Sequence, residues 1–240
     1  MAALAGCGDN GTGGADLAVG PDMTSTCRHT VPCTDQSVQQ LPLYTQANAA
    51  TVDNQSAAGV FTTTIDASAG GVTPTKSYVY LKFTDQGLTR VDLGDEAALA
   101  SMDWDLAARR FILRTNSGVS GPSCVTASRT ATATQFDTLA AVPANLDLRV
   151  EEYFTASCDY VPDGSGLMSP GTALQSFWEY PGCVKMTGNV FVLALADGRH
   201  VKMQVTSYYT PSVQTTCDTT GMAPTPSGAG HLVLKWAFLP

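Results

Sequence analysis

The sequence predicts an all-β chain: a single antiparallel, β-rich domain behind a disordered N-terminal tether. Three observations point there. Short runs of β-branched and aromatic residues recur along the chain, broken by Gly, Pro, Asn and Asp. The dipeptide Asp197-Gly198 separates two such runs, Asn189 to Ala196 and Arg199 to Tyr208, and suits a type I′ hairpin turn. Neither βα alternation nor a long amphipathic helix is present, which removes the parallel-sheet classes.

Taken in order, Leu4-Ala5-Gly6-Cys7 is similar to a bacterial lipobox, in which small residues let a peptidase reach the backbone and the cysteine thiol is alkylated by diacylglycerol. Cys7 is the candidate lipid-attachment residue. The few residues before it fall short of an export signal of about 15–30 residues, which implies a shortened chain or a misplaced start codon. Gly8 to Met23 is rich in Gly, Asp and Ala, cannot build a core and reads as a tether. Cys27 and Cys33 bracket a small loop. Phe61 to Ile65, Tyr78 to Phe83, Gly87 to Leu93 and Phe111 to Thr115 read as strands, the third by its alternation of apolar and polar residues. A helical turn is expected around Trp104 within Ala97 to Arg110, and a loop over Thr126 to Phe136. Strand character returns from Leu146 to Phe154, then in the two runs beside Asp197-Gly198, and last from His231 to Leu239, after a loop from Pro211 to Gly230. The expected organisation is a signal remnant over 1–7, a tether with a small cysteine loop over 8–34, and one all-β domain over 35–240.

Composition narrows the function. Hydrophobic residues at 44% and charged residues at 14% exclude a disordered chain. A net charge of −8 repels nucleic acid, so no nucleic-acid partner is expected. No apolar run approaches the roughly 20 residues of a membrane-spanning helix. None of the seven cysteines forms a C-x-x-C pair, which argues against a structural zinc site. Setting Cys7 aside leaves six, an even number that favours disulfides and an oxidising compartment.

No catalytic machinery is legible. Gly118-Val119-Ser120-Gly121-Pro122 begins like a hydrolase elbow but has proline in place of the second glycine. Glu151 and Glu152 are adjacent, so on a strand they point to opposite faces. His29, His200 and His231 lie in distant segments with no metal-ligand spacing. No enzyme activity is expected.

Two stretches resemble the HmuY family of haem-binding lipoproteins. The first runs from Met102 through Trp104-Asp105-Leu106-Ala107, Arg110-Phe111 and Arg114 to Asn116-Ser117-Gly118. The second runs from Asn189 across Asp197-Gly198 to Gln204 and the aromatic end Tyr208-Tyr209. The likeness covers about residues 75–240. Read on their own, Trp104 and Phe111 are core anchors, Arg109 or Arg114 is expected to pair with Asp103 or Asp105, and Asn116 to Gly118 is turn chemistry.

The resemblance implies an all-β lipoprotein with one open end that grips haem. In relatives the iron is held by two histidines or methionines on adjacent loops, which correspond here to about Asp159 to Ser169 and Trp178 to Met186. Neither loop holds a histidine, so Met168 and Met186 are the candidate haem ligands. The same correspondence places Cys158 and Cys183 in the two loops, where a disulfide would tie the haem end shut. Cys27 with Cys33, neighbours in sequence, and Cys124 with Cys217, the remaining two, complete the expected set, although six cysteines allow 15 connectivities. Two functions follow. One is a surface lipoprotein of the cell envelope, outer membrane or cell surface, which binds haem or takes it from a haem-carrying protein. The other is an interaction or structural lipoprotein that keeps the fold and has lost haem.

Overall fold

Two antiparallel sheets face each other, and the chain's last strand is central to the larger one. The computed structural model describes residues 27–71 and 73–240. Cys7 and the lipobox, with most of the tether, lie outside them. The chain opens with α1 (Thr34–Gln40), then a hairpin of β1 (Val52–Ala57) and β2 (Val60–Asp66). There follow β3 (Val79–Thr84), β4 (Gly87–Val91), α2 (Asp95–Ala98), β5 (Leu106–Arg109), β6 (Ile112–Thr115) and β7 (Thr126–Arg129). After a long irregular stretch come β8 (Trp178–Glu179), β9 (Lys185–Met186), β10 (Val190–Ala194), β11 (His200–Ser207), α3 (Pro211–Thr220) and β12 (His231–Leu239). The larger sheet has the order β1-β2-β12-β11-β10-β7, the smaller β4-β3-β5-β6, and β8-β9 forms a ribbon.

Alternation fixes the layers. In β11, Val201, Met203 and Val205 are buried between less buried Lys202 and Gln204, and in β12 Leu232, Leu234 and Trp236 do the same. These meet Val79, Leu81 and Phe83 of β3 and Leu106 and Ala108 of β5 in one apolar core. Trp236 joins the layers. It stacks on Phe61 at 4.3 Å, meets the edge of Phe83 at 4.9 Å, and its indole N–H donates to Thr63 Oγ1 at 2.9 Å.

Several elements differ from expectation. The helical turn is confined to α2; Trp104 lies beyond it, and residues 106–109 are strand β5. Residues 126–129, expected as loop, pair with β10 as its edge strand. The stretch from Leu146 to Phe154 makes only isolated bridges, at Arg149 and Phe154. Within 211–230 lies the helix α3, which starts with Pro211 and stops at Gly221, where φ is 77° and the N–H donates to Cys217 O at 2.8 Å. The Asp197-Gly198 turn is not type I′. Gly198 N–H donates to Leu195 O at 3.0 Å, and only Gly198 has positive φ, 86°. Ala196 and Asp197 therefore form an ordinary turn and Gly198 the bulge residue after it.

The cysteines pair differently from the expected set. Cys27 bonds Cys124, Cys33 bonds Cys158 and Cys183 bonds Cys217. Long-range backbone contacts decide this. His29 N–H donates to Pro122 O at 2.9 Å and its ring contacts Gly118 O at 3.2 Å, which lays Cys27 beside Cys124. Cys33 turns with φ 55° into α1 and meets Cys158, itself at φ 64°. Helix α3 carries Cys217 to Cys183. The two segments that the resemblance marks as ligand loops are thus each tied elsewhere and not to each other.

Candidate functional site

The signature around Trp104 builds a buried polar network on the outer face of the smaller sheet. Tyr80 alternates outward from β3, as do Arg109 from β5 and Arg114 from β6, each across from inward apolar neighbours. Both guanidinium groups lie over the ring of Tyr78, at 3.9 and 4.0 Å. Arg114 donates to Tyr153 Oη at 3.1 Å and Tyr80 Oη at 3.0 Å. Arg109 faces Asp95 at 3.6 Å, not Asp103 or Asp105. Asp95 also accepts the Tyr78 N–H at 2.8 Å and the Tyr80 O–H at 2.9 Å. Asp105 instead accepts the Phe83 N–H at 2.9 Å, and Asn116 donates to Trp104 O at 2.8 Å. Every one of these groups is enclosed, so these residues of the motif organise the core rather than meet a ligand.

Beside this network Glu151 is fully buried. It accepts Thr115 N–H at 2.7 Å, Thr115 O–H at 3.2 Å and Ala173 N–H at 2.9 Å. Burial pushes its carboxyl up to about 7, against the lowering pull of those donors and of Arg114.

A ligand-sized opening lies elsewhere. A groove of 820 Å³ runs between the turn joining β5 to β6, the segment after β8 and the end of β11, lined by Arg110, Phe111, Leu167, Tyr180, Tyr208 and Tyr209 among others. Arg110 sits at that turn with φ 54°, its side chain donating to Gly71 O at 2.8 Å. Phe111 packs on Trp178 at 5.1 Å, and the Trp178 indole donates to Phe111 O at 3.1 Å, which fixes the ribbon against the turn. Gln214 of α3 holds the opposite wall. Its Oε1 accepts the Tyr208 and Tyr209 N–H groups at 2.9 and 3.3 Å, and its amide donates to Val184 O at 3.2 Å. Tyr209 Oη accepts the Val184 N–H at 3.1 Å.

Burial pushes the Tyr208 phenol up to about 12, with the charge of Arg110 pulling the other way. The Tyr208 hydroxyl and Arg110 Nε have no hydrogen-bond partner among the described residues. A smaller cavity of 200 Å³ shares Arg110, Phe111 and Leu167 and extends to Tyr160 and Met168. Of the large apolar side chains that stay exposed, Leu167, Met168 and Tyr180 line these two cavities, and Met222 is next in sequence to the groove residue Ala223, while Val38, Val150 and Val161 line neither.

Of the residues singled out from sequence, Met168 lies in the smaller cavity, 66% exposed, on a loop held by Tyr160 O–H donating to its carbonyl at 2.8 Å. Met186 pairs with Trp178 in the ribbon, packs against the main core and lines neither cavity. The structure does not bring the two methionines to one cavity. Cys183 lines the groove but is bonded to Cys217. No group of three metal-ligating residues exists among the described residues. Sequence reading did not single out Arg110 and Tyr180 as groove residues, or Gln214 as the residue that braces its wall. The family motif at Arg110-Phe111, the two segments 159–169 and 178–186 and the aromatic end of β11, Tyr208-Tyr209, were the signals that pointed here.

The model of the HmuY protein family matches residues 74–220, more than half of the chain. No curated protein matches. Among solved structures, a Bacteroides fragilis NCTC 9343 protein described as a lipoprotein is 14% identical with a TM-score of 0.48, over 77% of this chain and 92% of that one. A Bacteroides vulgatus ATCC 8482 protein described as HmuY-like and haem-binding is 18% identical with a TM-score of 0.47, over 80% and 97%. The apo HmuY analogue of Tannerella forsythia is 16% identical with a TM-score of 0.40, over 81% and 98%. The family match takes in both the residues of the buried network and the strands that frame the groove, and the chain belongs to the HmuY family.

Proposed function

We propose that this chain is a binding protein of the cell envelope, anchored through lipid on Cys7 with the Gly-rich segment as tether, and that its groove takes haem. The carrying observation is a wide groove lined by Phe111, Tyr208 and Tyr209 together with the exposed apolar side chains Leu167 and Tyr180, with exposed Met168 in the adjoining cavity. Its 820 Å³ falls within the range of about 300–1,000 Å³ typical of small-molecule sites. Its aromatic lining suits a macrocycle, and it opens between the two segments that correspond to the family's ligand loops. No disulfide joins those segments, so the mouth is free to admit a ligand. The donor set differs from the family pattern, with tyrosines where histidines or methionines are expected. Three disulfides agree with an exported chain.

Titrating the purified chain with ferric haemin tests the reading: a Soret shift that saturates near one equivalent is expected. A flat titration favours the second reading, an interaction lipoprotein without haem, which the lack of a histidine or a methionine pair in the groove supports. For the anchor, a palmitate analogue should label the gene product made with an intact export signal and should not label Cys7→Ala; equal labelling of both would sink that assignment. No helix among the described residues is long and apolar enough to cross a membrane.

A further inference from the structure

The groove offers few atoms that could hold an iron. Its cysteine is bonded, and its lining contains neither histidine nor methionine. Three tyrosines remain, and they are not equivalent. Tyr208 is enclosed, its hydroxyl sealed from the groove without a partner. Tyr209 is buried and its oxygen is engaged with the Val184 N–H. Tyr180 stands at the rim, 62% exposed, on the segment that follows β8. One cation lines the same groove, Arg110, whose charge acts on both Tyr208 and Tyr209, as does Tyr180.

We propose that Tyr180, as its phenolate, is the protein ligand to the iron of a ferric porphyrin in this groove, with Arg110 as the cation that offsets the phenolate charge. This rests on the haem-binding reading above. Phenolate oxygen is a known haem ligand, and a hard anionic donor prefers ferric to ferrous iron. On binding, the Tyr180 O–H bond breaks and its proton goes to water. The freed oxygen bonds the ferric iron as a water or hydroxide leaves the metal, and no electron moves. The site is then selective for oxidised haem and releases it on reduction.

The test uses the full chain with ferric haemin and, separately, iron-free protoporphyrin IX. Wild-type protein with haemin should show a phenolate-to-iron charge-transfer band, and phenolate modes enhanced in resonance Raman. Tyr180→Phe should lose both signatures. Its haemin affinity should fall by at least the roughly tenfold that losing even a supporting residue costs a metal site. Its affinity for protoporphyrin IX should match wild type, which also shows that the variant folds with its groove intact. Arg110→Gln should keep the band and weaken haemin binding while leaving protoporphyrin IX binding closer to wild type; an equal loss for both porphyrins would remove Arg110 from its role as the offsetting cation. Haemin binding with an unchanged spectrum in Tyr180→Phe overturns the ligand assignment and leaves the haem reading standing. Loss of the band in Tyr209→Phe but not in Tyr180→Phe also overturns it. If neither porphyrin binds the wild-type chain, the haem reading itself fails.

Discussion

At Glu151 three donors converge on one carboxyl group inside the protein, yet burial outweighs them and leaves the acid titrating at about 7 instead of its ordinary 4.5. The folded chain therefore keeps a proton that the unfolded chain gives up between those values. The stability from this group is complete below about pH 4.5 and is lost as pH rises through 7, a loss of roughly 3 kcal/mol. Glu151→Gln should be less stable in acid, because its amide hydrogens face the Ala173 N–H, but it should lack this slope. Parallel urea-midpoint profiles for the two proteins between pH 4.5 and 7.5 would rule out the raised carboxyl. Gly118 is coupled to the same residue: its φ is +53°, and a Cβ there would lie 2.1 Å from Glu151 O. Gly118→Ala should cost at least about 1–3 kcal/mol in denaturant unfolding. At this scale the sequence showed which residues matter but not whom they touch. Trp104 was legible as a core anchor from its size, and Asn116 to Gly118 as a turn. The partner of Arg109 was not legible, because Asp95 is brought to it by α2 and the nearer Asp103 and Asp105 are turned elsewhere.

The β10–β11 hairpin shows what patterning specifies at the level of an element. β11 read correctly because apolar residues alternate on it and β10 because it is a continuous apolar run buried on both faces, and the register Leu193↔Val201 sets both side chains in the core. The turn type did not, since Asp-Gly serves both a two-residue loop and a three-residue loop closed by a glycine bulge. Gly198, at φ +86° with open space around it, is the residue that needs its conformation. Gly198→Val should lose about 1–3 kcal/mol and Gly198→Asn much less, as measured by thermal unfolding. Equal melting temperatures for all three would mean that the turn relaxes freely. The elements that escaped sequence reading share a cause. Strands β1 and β7 are edges built from small and polar residues, and their backbone pairing, not their side chains, makes them strands. Helix α3 is rich in threonine, whose hydroxyls bond back to carbonyls four residues earlier, as at Thr215 and Thr216. It is held by Gln214 and Cys217, contacts invisible in a local window.

Over the whole molecule, the class and the family were legible because both depend on patterns spread along the chain, whereas the disulfides depend on which loops meet in space. Bridges Cys27–Cys124 and Cys33–Cys158 span 97 and 125 residues, and they overlap. With the first closed, the path from Cys33 to Cys158 through it shrinks to about 40 residues, so the second bridge adds only the stabilisation of a loop that short, about 4 kcal/mol. The same holds with the roles exchanged. Each paired serine variant, Cys27→Ser with Cys124→Ser or Cys33→Ser with Cys158→Ser, should therefore lose a similar amount despite the different spans. The quadruple variant should lose about 1 kcal/mol more than the two losses together, because only there does the unfolded chain recover the full-length loop. Cys183–Cys217 closes a separate loop of 34 residues and should add independently of both, within about 0.5 kcal/mol. Urea unfolding of the set measures these relations, and peptide mapping without reduction fixes the pairs first. A linked Cys158–Cys183 peptide would overturn the pairing seen here and would mean that the groove mouth is stitched across, leaving the haem reading without its open end.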